Sequence, residues 1–210
     1  YLDLLEQTEN DAGRRELLQK CVYLADRMEA LLRSLLELAR MDAGAVELHL
    51  HPLSLDSLLH DAVRAARAAR PDSRVGIAVR SAPALSLRGD RKWLTQALLN
   101  LLRNAADAVR TESSSQDQHD MPAHSPQISL SVTADADLLH IEISDNGCGI
   151  APEDQEHIFE PFITHKVDGT GLGLAITRRI IQAHHGTITL RSARYAGTVF
   201  ILTLPIEKNS

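Results

Sequence analysis

Along the first fifth of the chain, apolar residues recur at alternating spacings of four and three. The stripe is formed by Leu17, Cys21, Leu24, Met28, Leu31, Leu35 and Leu38. This heptad spacing predicts a long helix from about Arg14 to Met41, with one face turned toward a partner helix. Gly44 stands just beyond its end as a stop signal. Residues 1–7, which are rich in leucine, are interpreted as the last turns of a preceding helix.

A second apolar file widens this face beyond a two-stranded seam. It runs through Leu18, Ala25, Leu32 and Ala39. A face of this width is typical of bundle helices, and it favours a helical hairpin that completes its bundle with a second copy of the chain. Packing of the helix on its own domain remains the alternative at this point.

Beyond Gly44 the pattern changes from a helical period to a mixed one. Alternation predicts strands at 46–50 (ended by Pro52), 75–79, 128–132, 139–143, 188–190 and 198–204. Helical spacing predicts helices at 55–69, 90–109 and 172–185. Residues 111–126 are polar, without a period, and are interpreted as a mobile surface loop. Because strands and helices do not strictly alternate, the pattern indicates an α+β fold, a two-layer sandwich in which helices cover a mixed sheet.

Composition narrows the possible partners. The 210 residues include 22 Lys and Arg against 28 Asp and Glu, a net charge of −6, which argues against a generic nucleic-acid or anionic-membrane binder. Two cysteines cannot form a disulfide scaffold, so a reducing, cytoplasmic compartment is expected. No stretch approaches ~20 apolar residues, so no membrane contact is expected within this chain. The sequence begins at Tyr1 and looks cut from something longer, which leaves anchoring of the parent protein in an inner membrane open.

The first cluster with candidate chemistry is a pair of asparagines on the predicted helix 90–109. Asn100 and Asn104 are four residues apart, and therefore lie on one face, one turn from each other. Asparagine is a poor helix former, so two of them on an apolar helix need a reason. An amide oxygen is a hard ligand that suits Mg²⁺, which prefers a few protein oxygens together with substrate phosphates. Solvated or capping amides are the alternative.

The second cluster, residues 145–150, follows directly on a predicted strand. Gly147 and Gly149 flank a single residue and allow the backbone to approach a ligand closely. Asp145 at the strand end can accept a hydrogen bond from an exocyclic amine, which would select adenine. An ordinary hairpin turn is the alternative, because the Asn-Gly dipeptide is a strong turn signal. Cys148 is interpreted as a small residue tolerated between glycines, with a redox-sensitive thiol as the alternative.

The third cluster, residues 169–176, has glycines at alternate positions just before a predicted helix. Backbone N–H groups and the positive end of a helix dipole would face an anion there. The segment lacks the Lys-Ser/Thr ending of a P-loop and the glycine spacing of the dinucleotide fingerprint. A glycine-rich phosphate cradle is therefore favoured over a plain flexible loop.

In this order and with these separations, the clusters resemble the catalytic cores of bacterial sensor histidine kinases, which belong to the gyrase/Hsp90/histidine kinase/MutL ATPase superfamily. Residues 100–105 are similar to the family's N box, 145–150 to its first glycine box and 169–174 to its second. Residues 159–162 resemble its F box. The resemblance implies three parts: 1–43, a truncated dimerisation and phosphotransfer hairpin; 44–206, an ATP-binding catalytic domain; and 207–210, a tail.

The resemblance implies ATP and Mg²⁺ as ligands, with Asn104 as the metal ligand and Asp145 recognising the adenine amino group. The residues implied to contact ATP are Asn100, Asn104, Asp145, Gly147, Gly149, Ile150, Phe162, Lys166, Gly169, Thr170, Gly171, Leu172, Gly173 and Leu174. Residues 151–168 would form the ATP lid, poorly ordered without nucleotide. In it Phe162 is an apolar hinge, and Lys166 is a phosphate contact or, alternatively, a solvated charge.

Two departures from the superfamily pattern refine the prediction. The superfamily's hydrolases place a water-activating Glu at the first N-box position; Asn100 stands there instead, which suits a kinase. Asp107, one turn beyond Asn104, is assigned at most an outer-shell water contact. None of the ten histidines fits a phosphoacceptor box, so this chain is expected to bind Mg-ATP without phosphorylating itself. His184 and His185 are interpreted as favourable positive charge at a helix C-terminus.

The implied activity is transfer of the ATP γ-phosphoryl to a histidine absent from this chain. The implied partners are a response regulator receiver domain and a second copy of the kinase through the hairpin of the full-length protein; no nucleic acid is expected. Loss of most of the first bundle helix is expected to weaken dimerisation, which predicts a monomer or a rearranged dimer. An ATP-dependent clamp or ATPase of the superfamily and a non-catalytic nucleotide-binding module are the alternatives.

Overall fold

The computed structural model describes residues 11–69, 75–80, 85–114, 127–135, 137–166 and 169–206. Its first element is helix α1 (Asp11–Asp42), which confirms the helix expected from the heptad stripe. Gly44 ends it in the left-handed conformation (φ +64°), as the stop signal predicted. The turns predicted at residues 1–7 lie outside the described residues.

The C-terminal end of α1 packs on the rest of the chain. Leu38 is buried in the core, and Gln96 donates a hydrogen bond of 2.8 Å to the Glu37 carboxylate. Asp42 forms an ion pair of 2.7 Å with Arg179. Farther upstream the apolar side chains are exposed: Leu18, Val22, Leu24, Met28, Leu32, Leu35 and Leu36. The helix therefore packs on its own domain at one end and presents its wide apolar face uncovered along the remainder.

A two-stranded ribbon and a second helix follow. Strand β1 (His51–Ser54) pairs antiparallel with β3 (Ser86–Gly89). Helix α2 (Leu55–Ala68) begins after Ser54, whose hydroxyl accepts the N–H of Ser57 at 3.4 Å. The strand predicted at 46–50 is wrong: pairing starts at His51, and Pro52 lies inside the ribbon. Proline is tolerated in such an edge ribbon because one side of the strand donates to no neighbour.

The main sheet has five strands in the spatial order β2 (Gly76–Val79), β4 (Gln127–Ala134), β5 (Leu138–Asp145), β7 (Thr198–Pro205) and β6 (Thr187–Ser192). β2 runs parallel to β4, and the other pairs are antiparallel. Helices α3 (Arg91–Ser114) and α5 (Gly173–Ala183) pack against the sheet, and α2 packs on α3. The single-turn helix α4 (Pro152–Gln155) follows β5 in the chain. This arrangement confirms the α+β sandwich with a mixed sheet.

The apolar alternation of the strands explains the position of the core. The buried side chains of one sheet face are Ile128, Leu130, Val132, Leu139, Ile141, Ile143, Phe200, Leu202 and Leu204. The segment predicted as a loop at 111–126 is helical to Ser114, where α3 ends, and residues 115–126 lie outside the described residues. Within the described part of the chain, no helix combines the length and apolar character needed to cross a membrane.

A buried histidine joins the ends of α3 and α5. His184, 4% exposed, accepts the N–H of Asp90 at its Nε2 (3.0 Å) and donates from Nδ1 to the carbonyl of Ile180 (2.8 Å). Asp90 in turn caps α3 by accepting the N–H groups of Lys92 and Trp93 at 3.0 and 3.3 Å. The interpretation of His184 as a positive charge at a helix end is therefore wrong, because burial lowers its pKa and its Nε2 must be unprotonated to accept.

Acidification is expected to destabilise the fold through His184. Because the pKa is lowered in the native state, the unfolded chain binds a proton near its ordinary value of about 6.5 while the folded chain does not. The contribution of neutral His184 to the free energy of unfolding is therefore complete above about pH 6.5, and it is lost as the pH falls toward the pKa of the native state. Urea unfolding at pH 8 and pH 5.5 measures this effect. At pH 8, His184→Gln should have a lower free energy of unfolding than the parent chain. Between pH 8 and pH 5.5, its free energy of unfolding should fall by less than that of the parent chain.

His185 supplies the matched control and a separate prediction. It is exposed and adopts a left-handed φ of +59°, which costs a non-glycine residue about 1 kcal/mol. His185→Gly is expected to raise the free energy of unfolding by about 0.5 kcal/mol, since glycine's own entropy cost offsets part of the gain. Denaturant melts of this variant should keep the acid slope of the parent chain; a loss of stability at pH 8 would contradict the assignment of strain to this turn.

Candidate nucleotide-binding site

Helix α3 presents one file of residues, Asn100, Asn104 and Ala108, to three other segments. These residues are spaced by four and therefore lie along one face of the helix. The Asn100 side chain donates to the carbonyl of Gly173 at 3.2 Å and lies 3.5 Å from the hydroxyl of Thr177. The first N-box asparagine is thus joined to the first turn of α5, where the second glycine box ends.

Asn104, one turn farther along α3, faces the lid segment. Its Oδ1 accepts a hydrogen bond of 2.8 Å from the Nζ of Lys166. The same ammonium forms an ion pair of 2.8 Å with Asp107. Lys166 therefore spans the space between the lid and α3. Asp107, for which at most an outer-shell water contact was predicted, forms a direct contact with Lys166 of the predicted lid.

The first glycine box packs on the next turn of α3. A Cβ at Gly147 would lie 2.6 Å from the backbone carbon of Ala108, so no larger residue fits there. Asp145, 6% exposed at the end of β5, accepts the N–H of Gly147 at 2.9 Å. The carboxylate predicted to recognise adenine is thus hydrogen-bonded to a glycine that packs on the same face of α3 as the two asparagines.

Gly149 packs on the hairpin between β6 and β7. It has φ +67°, and a Cβ there would lie 2.0 Å from the carbonyl oxygen of Ala193. The neighbouring Ile150 N–H donates to the Ser192 hydroxyl at 2.9 Å, and the Tyr195 N–H donates to the carbonyl of Cys148 at 2.8 Å. At both Gly147 and Gly149, the lack of a side chain allows protein backbone to approach closely, and contact of these glycines with a ligand stays a prediction.

The second glycine box is tied to the F box. Phe162 donates its N–H to the carbonyl of Gly171 at 3.0 Å, and both residues have left-handed φ values of 70° and 67°. A Cβ at Gly171 would lie 2.5 Å from the Phe162 backbone, which excludes larger residues. Phe162, the predicted hinge, has an exposed ring. This contact ties the predicted lid to the turn of the second glycine box.

The turn of the second glycine box, residues 169–172, leads directly into the N-terminus of α5. Gly169 packs on Thr164, and the Leu172 N–H donates to the Thr170 hydroxyl at 3.4 Å. Leu172 provides no side-chain cap for α5, and the first turn has no acidic residue. An uncapped helix start without nearby carboxylates favours an anion. Leu174, in the first turn of α5, is partly buried and packs on the core.

The donor set fits a divalent cation held mainly by phosphates. Asn104 and Asp107 supply an amide oxygen and a carboxylate oxygen, both hard ligands, and a cationic group already contacts both. In the described part of the chain, no group of three or more His, Cys, Asp or Glu side chains forms a metal cage. This sparse set is the one expected where Mg²⁺ keeps its remaining ligands from water and substrate.

A separate cavity lies where β2 meets β4. Its volume is about 440 Å³, and it is lined by Gly76, Ile77, Ala78, Arg80, Gln127, Ile128, Ser129, Ser144, Asp145 and Asn146. It shares only Asp145 with the predicted site residues and includes none of the residues of α3 or α5 described above. The contacts between α3, the lid and the glycine boxes therefore define the candidate site, not this cavity.

Two residues of the candidate site were not predicted from the sequence. Thr177 is fully buried and donates its hydroxyl to the Gly173 carbonyl at 2.8 Å, next to Asn100. Ala108 forms the surface on which Gly147 packs. Each follows a predicted site residue by four positions, so the helical spacing that paired Asn100 with Asn104 could have found both.

Comparison with known proteins gives the same picture. Residues 89–208 match the model of the family described as histidine kinase-, DNA gyrase B- and HSP90-like ATPase. Over 208 residues the chain is 33% identical to the signal transduction histidine-protein kinase AtoS of Escherichia coli K12, covering 99% of the chain and 32% of AtoS. It is 31% identical to the sensor histidine kinase ZraS of Salmonella typhimurium LT2, covering 96% of the chain and 40% of ZraS. The chain therefore spans about a third of the length of these curated relatives.

Solved structures agree with the sequence matches. Full-length ShkA, crystallised in complex with AMPPNP, superposes with a TM-score of 0.78 at 27% identity, over 99% of the chain and 42% of ShkA. The catalytic domain of histidine kinase ThkA has a TM-score of 0.62 at 26% identity, over 75% of the chain and 96% of that domain. With its family match spanning more than half of the sequence, this chain belongs to the histidine kinase-, DNA gyrase B- and HSP90-like ATPases.

Proposed function

We propose that this chain is the cytoplasmic ATP-binding catalytic core of a sensor histidine kinase. The observation that carries the proposal is the single face of α3 on which the N box, both glycine boxes and the lid meet. Asn100 contacts Gly173, Asn104 contacts Lys166, and the backbone of Ala108 contacts Gly147. Three separate motifs thus meet on the helix that carries the N box, as a nucleotide bound between them would require.

Each end of the site has chemistry suited to one part of the nucleotide. The buried Asp145 carboxylate can accept the exocyclic amino group of adenine, a donor that guanine replaces by an acceptor. The backbone from Gly169 to Gly173 and the uncapped start of α5 offer N–H groups and a positive dipole end to the phosphates. Asn104 would hold Mg²⁺, which when bound neutralises phosphate charge. Lys166 can then contact the phosphates from the lid.

Asn100 favours a kinase over a hydrolase. An amide has no basic group near neutral pH, so it cannot take a proton from an attacking water. Here it also donates to Gly173 and fastens α3 to α5, a positioning role. A γ-phosphoryl held in such a site would wait for an incoming side chain. We infer that this acceptor is a histidine on the dimerisation hairpin and that a response regulator receives the phosphoryl group next.

The uncovered apolar face of α1 supports the partner part of the proposal. The exposed leucines along this helix need a second helical surface, and the bundle of a kinase dimer provides one. We therefore propose that the full-length protein dimerises through this helix.

Calorimetric titration of the chain with ADP in the presence of Mg²⁺ tests the nucleotide site. One binding site per chain, with weaker binding when Mg²⁺ is chelated, is the expected result. Neither heat nor a shift in melting temperature with ADP or a non-hydrolysable ATP analogue would contradict the proposal. For the kinase activity, the full-length protein incubated with labelled ATP should form an acid-labile phosphohistidine, whereas sustained phosphate release would support the ATPase alternative.

A further inference from the structure

The contact between the lid and α3 is a cation held by two oxygens. The Lys166 ammonium lies 2.8 Å from Asn104 Oδ1 and 2.8 Å from Asp107 Oδ2. The side chains of Lys166 and Asp107 are 43% and 28% exposed, so the pair is partly shielded from solvent. Asn104 and Asp107 are three residues apart on α3 and therefore face the same side of the helix.

The same two oxygens suit a magnesium ion. Amide and carboxylate oxygens are hard ligands, and Asn104 is the residue already proposed to ligate Mg²⁺. An ammonium and a divalent cation at one pair of oxygens would repel each other strongly in a partly desolvated cleft. Occupation by the lysine and occupation by the metal are therefore alternatives.

Lys166 is also tied to the turn of the second glycine box. Its N–H donates to the Thr164 hydroxyl at 3.1 Å, and its carbonyl accepts the N–H of Gly169 at 3.1 Å. Gly169 in turn leads into the start of α5. A displacement of the Lys166 side chain is thus linked through two hydrogen bonds to the backbone that would surround the phosphates.

We propose that Asp107 belongs to the cation site: with Asn104 it holds the Lys166 ammonium, and so the lid, across the cleft, and it supports Mg²⁺ when nucleotide takes the place of the lysine. Asp107 is then a positioning residue with two roles, one in each state. This inference rests on the proposed nucleotide site.

The first test measures the lid without nucleotide. Hydrogen exchange of the Phe162 and Gly169 amides, both donors in lid contacts, reports its opening. In Asp107→Asn and Lys166→Gln, exchange should be about two- to fivefold faster, the range expected for a partly exposed ion pair. The double variant should be no faster than Lys166→Gln alone, because that substitution already removes both contacts of the ammonium.

The second test measures the metal dependence of nucleotide binding. The ratio of the ADP dissociation constants without and with Mg²⁺ should fall several-fold in Asp107→Asn. It should not fall in Lys166→Gln, where the metal no longer has to displace the ammonium from the two oxygens. Asp61→Asn is the matched control: Asp61 is 33% exposed, is paired with Arg91 on α3, and lies outside the site. It should change neither the exchange rates nor the ratio.

The outcomes separate this inference from the proposed function. If the unmodified chain binds no ADP, the nucleotide site itself fails. If ADP binds with Mg²⁺ but Asp107→Asn behaves as Asp61→Asn in both measurements, the role given to Asp107 is overturned. Faster lid exchange with an unchanged metal ratio would also overturn it, because the contact would then be a lid ion pair without a share in the metal site.

Discussion

Gly149→Ala is expected to lower the free energy of unfolding by about 3 kcal/mol. The added Cβ would stand 2.0 Å from the Ala193 carbonyl oxygen, so the backbone of the hairpin or of the glycine box has to move. The left-handed φ of +67° adds the strain that any residue with a side chain meets there. Chemical denaturation followed by circular dichroism measures the change.

Gly44→Ala provides the matched control for this prediction. Gly44 has nearly the same dihedral angle, φ +64°, but a Cβ there would meet nothing within 4 Å. Its loss should be about 1 kcal/mol, the cost of the left-handed conformation alone. The difference between the two variants isolates the packing of the first glycine box on the β6–β7 hairpin; equal losses would show that this packing contributes little.

The elements with a long pattern were predicted correctly, and so were the shorter strands β2 and β6. The heptad stripe of α1 and the alternation in β4, β5 and β7 each span several repeats, so the sequence alone shows which face of the element is apolar. The strand predicted at 46–50 failed because three alternating residues do not distinguish a paired strand from an extended linker. The start of the strand is set by its tertiary pairing with β3, which begins at His51.

In the candidate site, too, local patterns were predictable from the sequence and long-range contacts were not. The motifs located α3, the two glycine boxes and the lid, because each motif has a local spacing. The partners could not be read from the sequence: Gly149 meets Ala193 more than forty positions away, and Asp107 meets Lys166 at a separation of 59. His184 is another example. From the sequence, a histidine at a helix end suggests a positive charge, but in the structure its Nε2 accepts a hydrogen bond from the N–H of Asp90.

Asp145→Asn is expected to weaken ADP binding by about 10- to 100-fold, which corresponds to one hydrogen bond to a charged group. One carboxylate oxygen of Asp145 accepts the Gly147 N–H at 2.9 Å. An asparagine would keep its carbonyl oxygen on that N–H and turn its NH₂ group toward the base. Two donors, the amide and the adenine amino group, would then face each other.

The same substitution should change the preference between bases. Guanine carries an acceptor where adenine carries its amino group, so the amide of the variant can donate to it. Calorimetry with Mg-ADP and Mg-GDP should therefore show the preference for ADP reduced or inverted in Asp145→Asn. Asp135→Asn, on the turn between β4 and β5, should leave both affinities unchanged. If ADP affinity survives in Asp145→Asn, the base does not contact this carboxylate, and the adenine end of the site has to be sought elsewhere.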